Sequence, residues 1–190
     1  LPEEALGLHY FVASYYDALG SYPSYFDVVA TTDNTTVTVT VPNPTAAGTG
    51  VAAMAAAGTQ TFNMNRYDTL HVVNASGGTT TGRDVTGTEI TATAPVSVFG
   101  GVECAQIPAG YTYCDHIEEQ SVPSRNWGKT YVAAHTPKRS NTERYYWRVM
   151  ASFDNTVIDS TPAQTGFPVT LNKGQFYEFY SQASATPSAR

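Results

Sequence analysis

The stretch "DVVATTDNTTVTVTV", Asp27 to Val41, decides the fold class. Apolar residues stand at Val28 and Ala30, then at Val37, Val39 and Val41, with polar residues between them. That period of two marks strands with one wet face. Between the two halves sits Asp33-Asn34-Thr35. Asp and Asn bond their own backbone and tolerate left-handed φ, as a tight reversal requires. The segment reads as a β-hairpin turning at Asp33 and Asn34.

Further along, "WRVMASFDNTVI" (Trp147 to Ile158) repeats the pattern at an offset of 121 residues. Tyr25 falls on Tyr146, Phe26 on Trp147 and Val28 on Val149, and the turn residues fall on Asp154 and Asn155. Upstream, Pro2, Gly7, Tyr10 and Ala13 match Pro123, Gly128, Tyr131 and Ala134 at the same offset. So many matches at one spacing mean an internal duplication. Downstream, "MNRYDTLHVVN" (Met64 to Asn74) matches "LNKGQFYEFYS" (Leu171 to Ser181) at an offset of 107. The two offsets differ by 14 residues, which the small, uncharged "TAAGTGVAAMAAAG" (Thr45 to Gly58) supplies. Length changes belong in loops, so this reads as an inserted surface loop.

The duplication divides the chain into a first β-repeat unit, 1–121, and a second, truncated one, 122–190. The second is expected to lack a counterpart of "GTEITATAPVSVFGG" (Gly87 to Gly101). The stretch "EITATAPVSVFGG" reads as a further hairpin with Pro95 near its turn. "SQASATPSAR" (Ser181 to Arg190) reads as a frayed tail, and a longer parent chain is expected to continue. Hairpins then recur at roughly 60-residue intervals with strands between them. The fold class is all-β, built of antiparallel hairpin repeats. Propeller-like blades are one closure and tandem β-sandwich units the alternative. The tight "LNKG" turn suits a sandwich hairpin better than a crossing between blades.

Composition agrees with a β protein. Of 190 residues, 42% are apolar and only 14% charged, against about a quarter in ordinary domains. Thirteen Tyr, with many Thr and Val, suit a pleated, half-buried surface. The net charge of -6 offers no basic stripe for nucleic acid. No apolar run reaches the roughly 18 residues that would insert in a membrane. "LPEEALG" has no basic or apolar leader pattern, so the chain is mature, a fragment, or cytosolic. Cys104 and Cys114 flank "AQIPAGYTY", a loop able to bring their Cβ atoms together. The residues alone leave a disulfide and two free thiols both open, and a disulfide would mean an oxidising compartment.

Catalytic patterns are thin. "CDHIEEQ" (Cys114 to Gln120) is the densest polar cluster, but Asp115, His116, Glu118 and Glu119 match no metal spacing. The expectation is no metal, no cofactor and no enzyme. His9, His71 and His135 are expected to face solvent or pack beside Tyr. Asp33 and Asp154 are read as turn residues, since one acid per turn is too few for calcium. Asn34-Thr35-Thr36 and Asn74-Ala75-Ser76 fit the N-glycosylation pattern. Aromatic loops carry the remaining signal. "SYYDALGSYPSYF" (Ser14 to Phe26) and "HTPKRSNTERYYW" (His135 to Trp147) occupy matching places. Tyr, Trp and Arg in loops are typical binding residues, although such rings also pack against sheets. Tyr22, Tyr25, Tyr146 and Trp147 are the candidate binding residues.

The order of "VVATTDNTTVTV", "DVTGTEITATAPVSVFGGVEC", "CDHIEEQ", "WGKTYVAA", "YWRVMASFDNT" and "LNKGQFYEF" resembles the N-terminal domain of the IgGFc-binding protein family, from Leu1 to about Tyr180. The resemblance implies a Cys104–Cys114 disulfide, an extracellular or cell-surface location and a non-catalytic role. The expected function is an adhesion module for a glycoprotein, glycan or protein partner, mucin-like glycoproteins among them, with neighbouring repeats of the parent chain as contacts. The alternative is a structural repeat spacer in a large surface protein or fibre.

Overall fold

A computed structural model describes residues 1–137, 143–182 and 188–189. The basic heart of the second aromatic loop, 138–142, and most of the expected tail, 183–187 and 190, lie outside the described residues. The chain divides into two compact units, Leu1–Asn126 and Trp127–Arg190. Among the described residues all regular structure is antiparallel strand, apart from single 3-10 turns.

Unit 1 contains β1 (Gly7–Phe11), β2 (Ser24–Ala30), β3 (Thr35–Thr40), β4 (Thr59–Met64), β5 (Thr69–Val73), β6 (Glu89–Ala105) and β7 (Asp115–Gln120). The strand order is β4-β3-β6-β2-β5, with β1 and β7 on the other edge of β6. This is not the sequential meander of a propeller blade, so blades are not seen. Two expected hairpins are also corrected. Strands β2 and β3 do not pair with each other across Asp33 and Asn34; both pair with β6. "EITATAPVSVFGG" is no hairpin but part of one continuous strand, β6, with Pro95 inside it. Alternation reports which residues face inward and is silent on which edge finds which partner.

The duplicated segment is a long two-stranded ribbon folded at its middle. One arm is β2 plus β3 and the other is β4 plus β5. Pairing runs from Tyr25↔Val73 to Val29↔Thr69, then resumes from Thr35↔Met64 to Thr40↔Thr59. The true hairpin tip is therefore the loop of residues 41–58, not the Asp-Asn turn. That loop is anchored rather than loose. Thr45 and Met54 are buried, and Thr45 N–H donates to the Met54 carbonyl at 2.9 Å. β6 follows the fold of the ribbon. Its start pairs with β3, its end with β2, and the Pro95 carbonyl at the bend accepts from Thr31 Oγ1 at 2.6 Å. Pro lacks the N–H that a flat ladder would demand there. The inward residues of both halves, among them Phe26, Val28, Val37, Val39, Ile90 and Val98, then share one buried core. Burying each such side chain is worth about 1.5–3 kcal/mol.

Unit 2 contains β8 (Tyr131–Val132), β9 (Arg144–Met150), β10 (Thr156–Ile158), β11 (Ser160–Thr161), β12 (Val169–Leu171), β13 (Phe176–Gln182) and β14 (Ser188–Ala189). Its ribbon repeats that of unit 1 pair for pair. Tyr146 faces Tyr180 as Tyr25 faces Val73, and Thr156 faces Leu171 as Thr35 faces Met64. The "LNKG" turn joins β12 to β13, which pair with different strands, so it too is a corner and not a hairpin turn. A smaller core gathers Ala151, Ile158 and Leu171, with Val149, Phe167 and Tyr177 against them.

Candidate functional site

The corners explain the repeated acids. Asp33 Oδ1 accepts from Arg66 N at 3.0 Å, and Asp154 Oδ1 accepts from Lys173 N at 3.0 Å. Asn34 and Asn155 adopt φ of 57° and 55°, and their N–H groups donate to Asn65 and Asn172 side chains. Each acid thus ties one corner of its ribbon to the other. These four residues are held in structural bonds, and Asn34 is exposed while Asn74 is buried. Asn74 Oδ1 accepts from Ser24 N at 2.6 Å, so that glycosylation pattern is committed to the fold.

Opposite residues of an antiparallel pair share a face. On the outer face of unit 1 this sets His71, Asp27, Tyr25, Gly101 and Glu118 across β5, β2, β6 and β7. His71 Nδ1 lies 2.6 Å from Asp27 Oδ1. The Tyr25 ring crosses Gly101, and its hydroxyl donates to Glu118 Oε2 at 2.9 Å. A Cβ on Gly101 would stand 2.6 Å from the Tyr25 hydroxyl, so the crossing needs a residue without a side chain. Burial, then the hydrogen bond to Glu118 and the charges of Glu118, Asp27 and Glu103, push the Tyr25 phenol well above its ordinary value. It stays neutral at physiological pH. Beside this row an open groove of about 460 Å³ is lined by Ala13, Ser14, Gly100 and residues His116 to Glu119.

Unit 2 presents the matching face with different chemistry. Arg144, Tyr146 and Arg148 of β9 stand opposite Gln182, Tyr180 and Glu178 of β13. Arg148 Nε donates to Glu178 Oε2 at 2.9 Å, in the place of the Asp27–His71 pair and with the carboxylate moved to the other strand. The Arg148 guanidinium also lies 4.4 Å from the Phe176 ring centroid, and that of Arg144 lies 4.4 Å from the Tyr180 ring. Tyr146 and Tyr180 rings are 5.9 Å apart. Tyr180 is 48% exposed. The result is a surface of paired arginines and aromatic rings, with Arg and Tyr the residue types enriched in protein-binding hot spots.

The four candidate residues fall in different surroundings. Tyr25 and Tyr146 occupy equivalent outer-face positions, the first buried and the second half-buried. Tyr22 is 44% exposed in the first loop, where Asp17 Oδ1 accepts from Leu19 N and Gly20 N. Trp147 shares its face with Val149 instead, paired with buried Phe179, and its indole N–H donates to Ser181 Oγ. Each histidine has a polar partner and an aromatic one, as with His9 on Glu89 and Phe11, and His135 on Ser181 and Tyr145. Cys104 and Cys114 form a disulfide with a Cα separation of 5.0 Å. It closes a loop that exposes Tyr111 and Tyr113.

Arg144, Arg148, Phe176, Glu178 and Tyr180 were not singled out by sequence. Their signal was present in "RYYWRVM" and "FYEFYS", where alternate positions carry Arg-Tyr-Arg and Phe-Glu-Tyr. Among the described residues, no group of three or more His, Cys, Asp or Glu could hold a metal ion. The surfaces offer stacking, cation–π and hydrogen-bonding groups.

The chain matches the family model described as IgGFc binding protein over residues 1–189. A relative from Homo sapiens, the IgGFc-binding protein, is 39% identical over 62 residues, which is 33% of this chain and 1% of that protein. The chain thus spans a small fraction of that relative's length. No solved structure matches it.

Proposed function

Because the chain belongs to the IgGFc binding protein family, we propose that it is an extracellular, non-catalytic module that binds a protein or glycoprotein partner. The observation that carries this reading is the outer face of unit 2, where Arg144 lies over Tyr180, Tyr180 lies beside Tyr146 and Arg148 lies over Phe176. Preordered Arg and Tyr side chains lose little freedom on binding. The disulfide is consistent with an oxidising compartment. The family's name supplies the first partner to try, the Fc region of IgG, and mucin-type glycoproteins are the second class.

The test is a binding titration of the chain on immobilised IgG Fc and on mucin-type glycoproteins. Arg144→Ala and Tyr180→Ala are expected to weaken binding by about tenfold or more each, a hot-spot effect, with the circular dichroism of the native protein retained. Tyr22→Ala serves as the comparator for the first loop. Saturable binding unaltered by both unit 2 substitutions would sink this face as the contact surface. Absence of saturable binding would favour the spacer reading, which the duplicated corner clamps support as a repeat architecture.

A further inference from the structure

Two tripeptides, Asn34-Thr35-Thr36 and Asn74-Ala75-Ser76, fit the N-glycosylation pattern, and the fold treats them in opposite ways. Asn74 is 3% exposed. Its Oδ1 accepts from Ser24 N at 2.6 Å, its Nδ2 donates to the Ala75 carbonyl at 2.8 Å, and its backbone N–H donates to the Ser24 carbonyl at 2.9 Å. A sugar on that side-chain nitrogen has no room where the start of β2 and the end of β5 close on each other. Asn34 stands on the first ribbon corner and is exposed. It enters the corner through its main chain, with φ of 57° and a backbone N–H that donates to Asn65 Oδ1 at 3.4 Å. The bonds that hold the corner come from its neighbours. Asp33 Oδ1 accepts from Arg66 N at 3.0 Å, and Thr35 Oγ1 donates to the Thr32 carbonyl at 2.7 Å. Asparagine is among the residues enriched at such positive φ, so the corner itself accounts for residue 34, and Thr36 supplies the rest of the acceptor pattern. The second copy separates these two requirements. Asn155 takes the same corner, exposed and with φ of 55°, but Val157 stands in the place of Thr36. Asn155 has the corner without the pattern, Asn74 has the pattern without the exposure, and Asn34 combines them.

We propose that Asn34 carries an N-linked glycan and that Asn74 stays bare. The donor is a lipid-linked oligosaccharide. A bond forms between Asn34 Nδ2 and C1 of the first sugar, and the bond from C1 to the lipid pyrophosphate oxygen breaks. The electron pair of that bond leaves with the pyrophosphate, and Nδ2 gives up one proton. Only a chain exported through a eukaryotic secretory pathway meets this donor, so the assignment rests on the extracellular reading. An N-linked glycan is bulky and solubilising. It stands where β3 begins and β4 ends and excludes a macromolecular partner from that corner of unit 1.

The full chain, secreted from a eukaryotic host behind an export leader, tests this by intact mass before and after treatment with a peptide N-glycosidase. The expected result is a single glycan, mapped to Asn34 by peptide mass spectrometry, with the Asn74 peptide unmodified. Thr36→Val gives this corner the residue of the second copy and is expected to remove the glycan while leaving the asparagine in place. Val157→Thr makes the reverse change at an exposed side chain and is expected to add a second glycan, at Asn155. The proposal is overturned if the secreted chain carries no sugar, if its sugar lies on Asn74, or if Thr36→Val leaves the mass difference unchanged. A glycan gained by Val157→Thr on a chain bare at Asn34 overturns it as well, since the host is then shown to modify such a corner. Because the leader forces export, a missing glycan counts against Asn34 alone. The extracellular reading fails separately, if Cys104 and Cys114 are recovered from the natural source as free thiols.

Discussion

Gly101 shows how one absent side chain organises a surface. The Tyr25 ring reaches Glu118 only because nothing rises from β6 beneath it. Gly101→Ala is expected to cost about 1–3 kcal/mol, an overpacking effect, read as a lower urea midpoint. The "FGG" run is plain in the sequence, but its reason is not, because Ala13 and Tyr25 reach it from far along the chain. Tyr25 also makes stability depend on pH. Its folded pKa is raised, so the neutral phenol is favoured by folding. That contribution is complete below the unfolded value near 10 and is lost as pH rises beyond it. Buried Tyr10 acts in the same direction. Tyr25→Phe is therefore expected to shrink the fall in melting temperature between about pH 9.5 and 11; an unchanged slope would assign the alkaline transition to other groups.

At the scale of elements, the ribbon corner is the repeated invention. In each unit an acid caps the opposite corner, an Asn takes positive φ, and a Thr hydroxyl returns to a carbonyl three residues back. Asp33→Ala and Asp154→Ala are each expected to cost about 0.5–1.5 kcal/mol, since each removes one solvent-exposed hydrogen bond to a carboxylate. Equal small losses would show that water replaces the clamp. The Arg148–Glu178 pair, partly screened by solvent, is expected to give a coupling of about 0.2–1 kcal/mol in a double-mutant cycle. Removing both cysteines is expected to cost about 2–3 kcal/mol by freeing the unfolded loop. Alternation and Asp-Asn chemistry made the strands and reversals legible. The pairing was not, because both a hairpin and a ribbon corner need the same turn residues, and only the distant β6 distinguishes them.

For the whole molecule, β6 decides how much of unit 1 is tied down. It has neighbours on both sides over both halves of unit 1, and its amides are expected to be the last there to exchange, with those of β9 and β10 exchanging well before them. Comparable rates in the two ribbons would contradict this ranking. The duplication itself was readable, offsets included, because matching residues need no knowledge of contacts. The outer-face chemistry was only half readable: Tyr25 and Tyr146 stood out, while the arginines beside them acquired meaning once β13 lay against β9. The 14-residue difference between the copies carries one last consequence. The longer loop keeps its roots fixed at Thr45 and Met54, while Gly48 and Gly50 at its crest face open space. Nature has thus already marked where foreign sequence can be spliced into this scaffold, and an epitope inserted between those glycines would be displayed on a stalk whose footing does not move.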